Sequence, residues 1–368
     1  MLARVRCAMG GASVPVVASI RQPLLRAHAV QSSAMQRHAL GSSQRLVAGK
    51  AAAAPAVGGD GSEQSEKSLR YSKDMQARMG TQDSYQHELG LNYNRILDDL
   101  IVGSCLQEAD DVNHLVEQEN VKVVYCLQED SDMAYFNLDI KPVEARCAEL
   151  GIKHIRFRIR DFDPHDLRAR LPDAVRALVA AHDPSSGTAY IHCTAGMGRA
   201  PAVAVAYMAW ARGMQVDDAH EQVTTTRRCS PRMESIRWAT ADLLLGLSTV
   251  PVTMAVYRTG GASEVQVAGL DFGWHKKLDL TRNAKKWRFE LTREMRPGTY
   301  QYKYIFDGAW TYSADHPTVK DYDNINNKME VVAALSDDTR RKLESMLTKG
   351  SELTQEEKAA LTSMVNAA

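Results

Sequence analysis

The chain predicts two folded units in series, an α/β domain around a largely parallel sheet and, behind it, a small antiparallel β-sandwich. Between Asn92 and Gly246, short β-branched or apolar runs alternate with amphipathic helical patterns, as repeated βα units require. After Pro251 the helical period gives way to short strand-like runs separated by Gly, Asp and Asn turns. The length agrees, because 368 residues exceed one ordinary domain.

From Met1 to Gly59 there is no Asp or Glu, while Arg4, Arg6, Arg21, Arg26, Arg37, Arg45 and Lys50 stand among Ala, Ser, Val and Gly. That is the composition of an organellar transit peptide over 1–59, and it does not by itself separate mitochondrion from chloroplast. A Ser/Gln/Glu/Lys-rich stretch over 60–84 reads as a linker. The α/β domain is expected over 85–247. Leu100–Gly103, Val121–Leu127, Ile152–Ile159 and Thr188–His192 read as its strands, and Ala109–Asn120, Leu167–His182, Ala200–Arg212 and Val216–Thr226 as its helices. The sandwich is expected over 252–334, with strands at Thr253–Tyr257, Glu264–Ala268, Trp287–Leu291, Gly298–Phe306 and Lys328–Val332. Residues 335–368 return to helix, with Thr354 and Glu357 spaced as a capping box and Leu361, Met364 and Val365 forming an apolar stripe.

Charge excludes several function classes. With 45 basic and 45 acidic side chains there is no global field to recruit nucleic acid or an anionic membrane. No apolar run approaches the roughly 18 to 20 residues that span a bilayer. The six cysteines show no C-x-x-C pair, which argues against a zinc site and a secreted disulfide framework. No metal or organic cofactor is expected.

Chemistry is concentrated at one strand end. Tyr190-Ile191-His192-Cys193-Thr194-Ala195-Gly196-Met197-Gly198-Arg199 runs from a buried strand through a small-residue loop into a helix. Such a loop lets successive backbone N–H groups converge on one point, at the positive end of the following helix, and so builds an anion nest. Thr194, Ala195, Gly196, Met197 and Gly198 form the nest, and Arg199 can bridge two phosphoryl oxygens through its planar fork. Donors that bind phosphate also favour the thiolate of Cys193, which makes it the candidate nucleophile. A cysteinyl-phosphate route further needs a proton donor for the leaving oxygen. Arg160-Asp161-Phe162-Asp163-Pro164-His165-Asp166 follows a strand and offers three carboxylates. Asp161, nearest the strand end, is the expected acid. Asp163 is the alternative, and Asp166 fits best as a helix cap.

His192-Cys193 through Arg199 with Asp161 upstream resembles the dual-specificity branch of the protein tyrosine phosphatase superfamily. Gly196-Met197-Gly198-Arg199-Ala200-Pro201-Ala202 is similar to the starch-excess glucan phosphatases of plants, as are Tyr85 to Asn94, Leu100 to Cys105 and Cys126-Leu127-Gln128. The likeness covers nearly everything beyond residue 70. It implies Cys193 as nucleophile, Asp161 as general acid/base, Arg199 as phosphate clamp, and Tyr85, Tyr135, Phe136 and Phe162 as an aromatic channel for a glucan chain. It also implies a plastid address and both 6- and 3-phosphates as substrates, the former favoured. Two positions depart from wider patterns: Ala200 replaces the Ser or Thr of many phosphatases, and Ser230 stands where plant relatives carry an aromatic. The neutral Thr194, Ala195 and Met197 suit one phosphate on an uncharged chain better than a multiply charged headgroup, although a phosphopeptide would also fit.

In the second unit, alternation places Tyr300, Tyr302, Tyr304 and Phe306 on one face, and Trp287, Phe289 and Leu291 on another, as core. Trp274 and Trp310 lie in or beside glycine turns, where exposed indoles could stack on sugar rings or form a minor hydrophobic cluster. Lys303 and Asn326 or Asn327 could bond hydroxyls. Gly269-Leu270-Asp271-Phe272-Gly273-Trp274, with Tyr302 to Ile305 and Asp307 to Trp310, resembles the glycogen-binding module of AMP-activated kinase β subunits.

The expected protein is therefore an α/β cysteine-phosphatase (dual-specificity phosphatase) domain followed by an antiparallel β-sandwich carbohydrate-binding module. Its expected partner is phosphorylated starch at granules in the chloroplast stroma, and the resemblance implies that the C-terminal helical segment docks on the phosphatase domain. The alternatives are a glucan-tethered protein phosphatase and a non-catalytic glucan-binding scaffold. Cys126 and Cys193 end strands that, if adjacent, would bring the two thiols together. Cys126 then reads either as the partner in a regulatory disulfide, released by thioredoxin, or as a small apolar filler of the sheet.

Overall fold

The computed structural model describes residues 61–257, 261–321 and 324–367, so the segment read as a transit peptide lies outside the described residues. Helix α1, Gly61–Met79, occupies most of the stretch read as a linker and corrects that reading. Its polar composition hid a stripe at helical spacing, Tyr71, Met75 and Met79 beside Ser68 and Ser72. Met75, Ser68 and Ser72 are buried.

The α/β domain holds five strands, β1 (Tyr93–Leu97), β2 (Leu100–Gly103), β3 (Val121–Cys126), β4 (Lys153–Arg156) and β5 (Thr188–His192), in the order β1-β2-β5-β3-β4. All neighbours are parallel except β1, which pairs antiparallel with β2. Helices α2 (Ala109–Glu119) and α4 (Lys141–Glu149) pack Val112, Leu115, Val143 and Cys147 on Ile101, Val124 and Tyr190 of one sheet face. Helices α5 (Pro164–Ala181), α6 (Arg199–Trp210) and α8 (Met233–Leu245) cover the other, against Val102, Val123, Tyr125 and Ile191. Every residue of β5 is buried because both faces are covered. Helix α3 (Asp130–Tyr135) follows the carboxyl end of β3, and α7 (Val216–Thr226) packs against α6 and β1.

The second unit is wholly antiparallel. One sheet orders β6 (Val250–Val256), β10 (Arg288–Met295) and β9 (Thr281–Asn283). The other orders β13 (Thr318–Asp321), β14 (Asn324–Val331), β11 (Gly298–Phe306), β7 (Val265–Gly269) and β8 (Gly273–Asp279), with β12 (Ala309–Thr311) also on β11. Tyr300, Tyr302 and Tyr304 lie in the core between the sheets. Trp287 does not: it is 81% exposed, because its φ of 49° breaks the strand alternation just before β10 begins.

The two units pack together. The buried Arg168 guanidinium of α5 donates to both carboxylate oxygens of Asp242 on α8, at 2.7 and 2.6 Å, and to Pro297 O at the root of β11, at 2.6 Å. His165 stacks on Tyr300, with ring centroids 4.5 Å apart. Helices α9 (Asp337–Leu347) and α10 (Gln355–Asn366) then return to the α/β domain. The Thr354–Glu357 capping box is formed, Leu361 and Val365 are buried, and Thr362 Oγ1 donates to Trp210 O at 2.9 Å.

Candidate active site

Strand β5 delivers Cys193 to the carboxyl end of the sheet, and α6 begins at Arg199, so the six-residue turn between them is fixed at both ends. Four of the loop carbonyls accept from donors outside the loop. Cys105 N donates to Thr194 O at 2.9 Å and Ser230 N to Met197 O at 2.9 Å. Arg227 Nη2 donates to Ala195 O at 3.1 Å and its Nε to Gly196 O at 2.7 Å. A peptide plane that gives its C=O to an outside donor turns its N–H to the other side, which is the orientation an anion nest needs. Gly196 has φ +66°, and a Cβ there would fall 2.3 Å from Gly103 O, so no other residue fits.

Arg227 was not singled out in the sequence. It is a buried cation that lies beyond α7 and reaches back to the loop, with Nη1 donating to Asn94 Oδ1 at 2.9 Å. Burial pulls its pKa below the ordinary arginine value. Asp132, in the first turn of α3, and Gln128 were also missed. Arg199 Nη1 donates to Asp132 Oδ2 and, at 3.0 Å, to Ile159 O, while Gln128 Nε2 donates to Thr194 Oγ1 at 3.2 Å. Each of these contacts joins residues far apart in the chain, which local pattern does not reveal.

Arg199 Nη2 lies 2.9 Å from Asp161 Oδ2 and 3.3 Å from Thr194 Oγ1. Asp161 thus faces the nest. Burial raises its carboxyl above the usual range, against the opposing pull of Arg199, which favours the protonated form that an acid needs. Asp163 is committed elsewhere: its Oδ1 accepts from His165 N and Asp166 N, both at 2.9 Å, as the cap of α5. The cap expected at Asp166 is therefore Asp163, because the helix starts at Pro164, earlier than its apolar pattern. Asp166 Oδ2 instead accepts from Arg160 N at 2.7 Å. His192 is held neutral, since burial pushes its pKa down to about 3.

Tyr85, Tyr135, Phe136 and Phe162 come together beside the loop with Ala195 and Met197. Tyr85 and Phe136 are buried, Phe136 being stacked on His87 at 4.3 Å. Tyr71 of α1 sits among them. From Asp161 and Phe162 a cleft of about 1570 Å³ leads between the two units to Trp274, Lys303 and Trp310. Trp274 and Trp310 are 40% and 46% exposed. Lys303 Nζ donates to Asn324 Oδ1 at 3.0 Å, and Asn326 also lines the cleft while donating to Gln301 Oε1 at 2.7 Å. Asn327 is corrected: it is 0% exposed, and its amide is used up on Ser313, accepting from Ser313 N and donating to Ser313 O, both at 2.8 Å. Cys126 ends β3 in register with His192, next to Cys193, and all described cysteines are free thiols.

Residues 108–240 match the family described as dual specificity phosphatase, catalytic domain, and residues 250–337 match the glycogen recognition site of AMP-activated protein kinase. An amyloplastic phosphoglucan phosphatase of Castanea sativa is 40% identical over 292 residues, 78% of this chain and 77% of the relative. A chloroplastic phosphoglucan phosphatase of Arabidopsis thaliana is 30% identical over 257 residues, 68% of this chain but 43% of that longer protein. The β subunit of the AMP-activated protein kinase of Schizosaccharomyces pombe is 36% identical over 75 residues, 20% of this chain and 24% of the relative.

Replacing Arg227 by Met should release two loop carbonyls and cost on the order of a hundredfold in kcat/KM on a small aryl phosphate, with little change in circular dichroism. Arg227→Lys should restore only part, because an ammonium lacks the fork that reaches Ala195 O, Gly196 O and Asn94 together. Unchanged turnover in the Met variant would remove Arg227 from loop positioning.

Proposed function

The chain belongs to the phosphoglucan phosphatase family and is a phosphatase; on that premise we propose that it removes phosphate monoesters from the glucose units of starch through a cysteinyl-phosphate intermediate. The observation that carries the proposal is the cleft that runs from Asp161 and Phe162 to the exposed indoles of Trp274 and Trp310. A phosphopeptide needs only the catalytic loop. A long uncharged polymer gains from an apolar platform on the same path, where sugar faces stack on indoles and Lys303 and Asn326 meet hydroxyls.

Cys193 Sγ attacks phosphorus as the bond to the glucan oxygen breaks, and protonated Asp161 gives that oxygen its proton. Asp161, now a carboxylate, takes a proton from water as the water attacks phosphorus, and phosphate and free thiolate result. Arg199 and the loop amides hold the equatorial oxygens throughout. Because burial raises the Asp161 pKa, the acid stays protonated further toward neutral pH, and glucan turnover falls as pH rises through that pKa. The site of action is the plastid, at starch granules in the stroma. The amyloplastic and chloroplastic relatives support this, as does the acid-free composition of residues 1–59.

Phosphate release should be far faster from solubilised amylopectin than from phosphotyrosine or phosphoserine peptides. Trp310→Ala should lower the first while leaving hydrolysis of an aryl phosphate nearly intact. Asp161→Asn should lose about 10² to 10⁴ in rate on amylopectin, much less on the aryl ester, and with it the alkaline fall of the glucan profile. Faster peptide hydrolysis, or equal loss on both esters in Trp310→Ala, would point to a protein phosphatase or a structural indole.

Control by oxidation is a further part of the reading. The adjacency of Cys126 and Cys193 at neighbouring strand ends supports a disulfide that silences the nucleophile until a thioredoxin-type dithiol reduces it. Burial pushes the Cys126 thiol up to about 11, which suits it as a resolving partner rather than as the first thiol to oxidise. Mild peroxide should inactivate the enzyme in a way dithiothreitol reverses, whereas Cys126→Ser should be lost irreversibly. Full thiol-dependent recovery in that variant would exclude Cys126.

A further inference from the structure

Helix α1 covers the candidate active site with contacts that are specific. The Tyr71 hydroxyl donates to Asp161 Oδ2 at 2.8 Å, the same oxygen that faces Arg199. Its ring centroid lies 5.6 Å from both Phe136 and Phe162, 5.8 Å from Tyr85 and 6.3 Å from Tyr135. One side chain therefore touches the proton donor with its oxygen and the four candidate channel aromatics with its ring. Met79, about two turns further on, sits 3.3 Å from where a Cβ on Gly198 would lie, against the end of the catalytic loop. Behind this lid Cys193 is 2% exposed and Arg199 3%.

The helix is held by its apolar stripe, Tyr71, Met75 and Met79, and by polar contacts along its length. Ser72 Oγ donates to Tyr85 O at 3.0 Å and accepts from Tyr85 N at 2.8 Å. Gln64 Nε2 donates to Phe136 O at 3.1 Å, Tyr135 OH to Lys67 O at 3.2 Å, and Arg232 Nη2 to Arg78 O at 2.9 Å. Water can replace each of these polar bonds, but undocking also bares Met75 and the aromatic cluster beneath Tyr71, so the helix leaves only when a ligand covers those faces again. Gly80 follows it with φ +66° and nothing within 4 Å of its would-be Cβ, a connection that can turn without clash.

We propose that α1 is a built-in competitor of the substrate, with Tyr71 standing where a sugar and its bridging oxygen would lie, so that a glucan entering the channel displaces the helix. The identity of that displacing ligand rests on the function proposed above; the occlusion itself rests on the contacts of Tyr71. A site that is open only in part of the population has its apparent affinity lowered by that fraction, and weakening the latch raises it.

The test uses the full chain. Tyr71→Ala should raise kcat/KM on para-nitrophenyl phosphate by about tenfold, and Tyr71→Phe, which keeps the ring and loses the hydrogen bond, should raise it less. In the unmodified protein, malto-oligosaccharides carrying phosphate should speed amide hydrogen exchange over residues 61–79, a readout independent of how the variants fold. Lower activity of a stably folded Tyr71→Ala, or greater protection of 61–79 with ligand, would overturn the proposal and make α1 a permanent wall of the site. A gain on the aryl ester without hydrolysis of amylopectin would keep the competitor and remove the glucan.

Discussion

A loop can aim consecutive N–H groups at one anion only if each outward C=O finds a donor, and that requirement organises the catalytic half of this protein. The donors are Cys105 N, Ser230 N and the Arg227 fork, from three separate segments. Each must be carried to the loop by its own element: β2 brings Cys105, α7 brings Arg227, and the stretch before α8 brings Ser230. Backbone must also approach backbone closely enough that Gly196 meets Gly103 O. The order β2-β5-β3 is what puts β2 beside the loop to make that contact.

Charge in the pocket is balanced in a way that suits a phosphate. Arg199 bridges Asp132 and Asp161, so an arriving anion competes with two carboxylates for one guanidinium. Burial favours the protonated form of Asp161, and in that form the carboxyl no longer competes as an anion and has a proton to give, as the proposed mechanism requires. Asp132 stays as the anchor of the guanidinium. In the mechanism proposed above, acid catalysis and phosphate binding are thereby tied to the same proton.

The sequence made the chemistry readable where it is local. Leu100–Gly103 and Thr188–His192 were legible as strands from their β-branched and apolar runs, and Cys193 and Arg199 as the two ends of a small-residue loop between strand and helix. Long-range contacts left no such trace. Nothing local sets Arg227 and Asp132 apart from other charged residues before the fold returns them to the loop, and α1 reads as a polar linker because its few anchoring residues are diluted by charged ones. In the module, alternation correctly buried Tyr300, Tyr302 and Tyr304, but failed at Trp287, where a left-handed residue breaks the period. Asn327 failed for a different reason: an amide at a strand position cannot be told from a ligand-binding one until its partner Ser313 is seen.

The proposed mechanism turns on transfer of phosphate from a glucan to Cys193. Rapid acid quenching of the full chain during turnover of phosphorylated amylopectin, followed by peptide mass analysis, measures this directly. The account predicts one phosphoryl group on the peptide that contains Cys193, formed and lost at rates consistent with phosphate release. Phosphate release with no phosphopeptide at any quench time, or a phosphoryl group on a different residue, would contradict it.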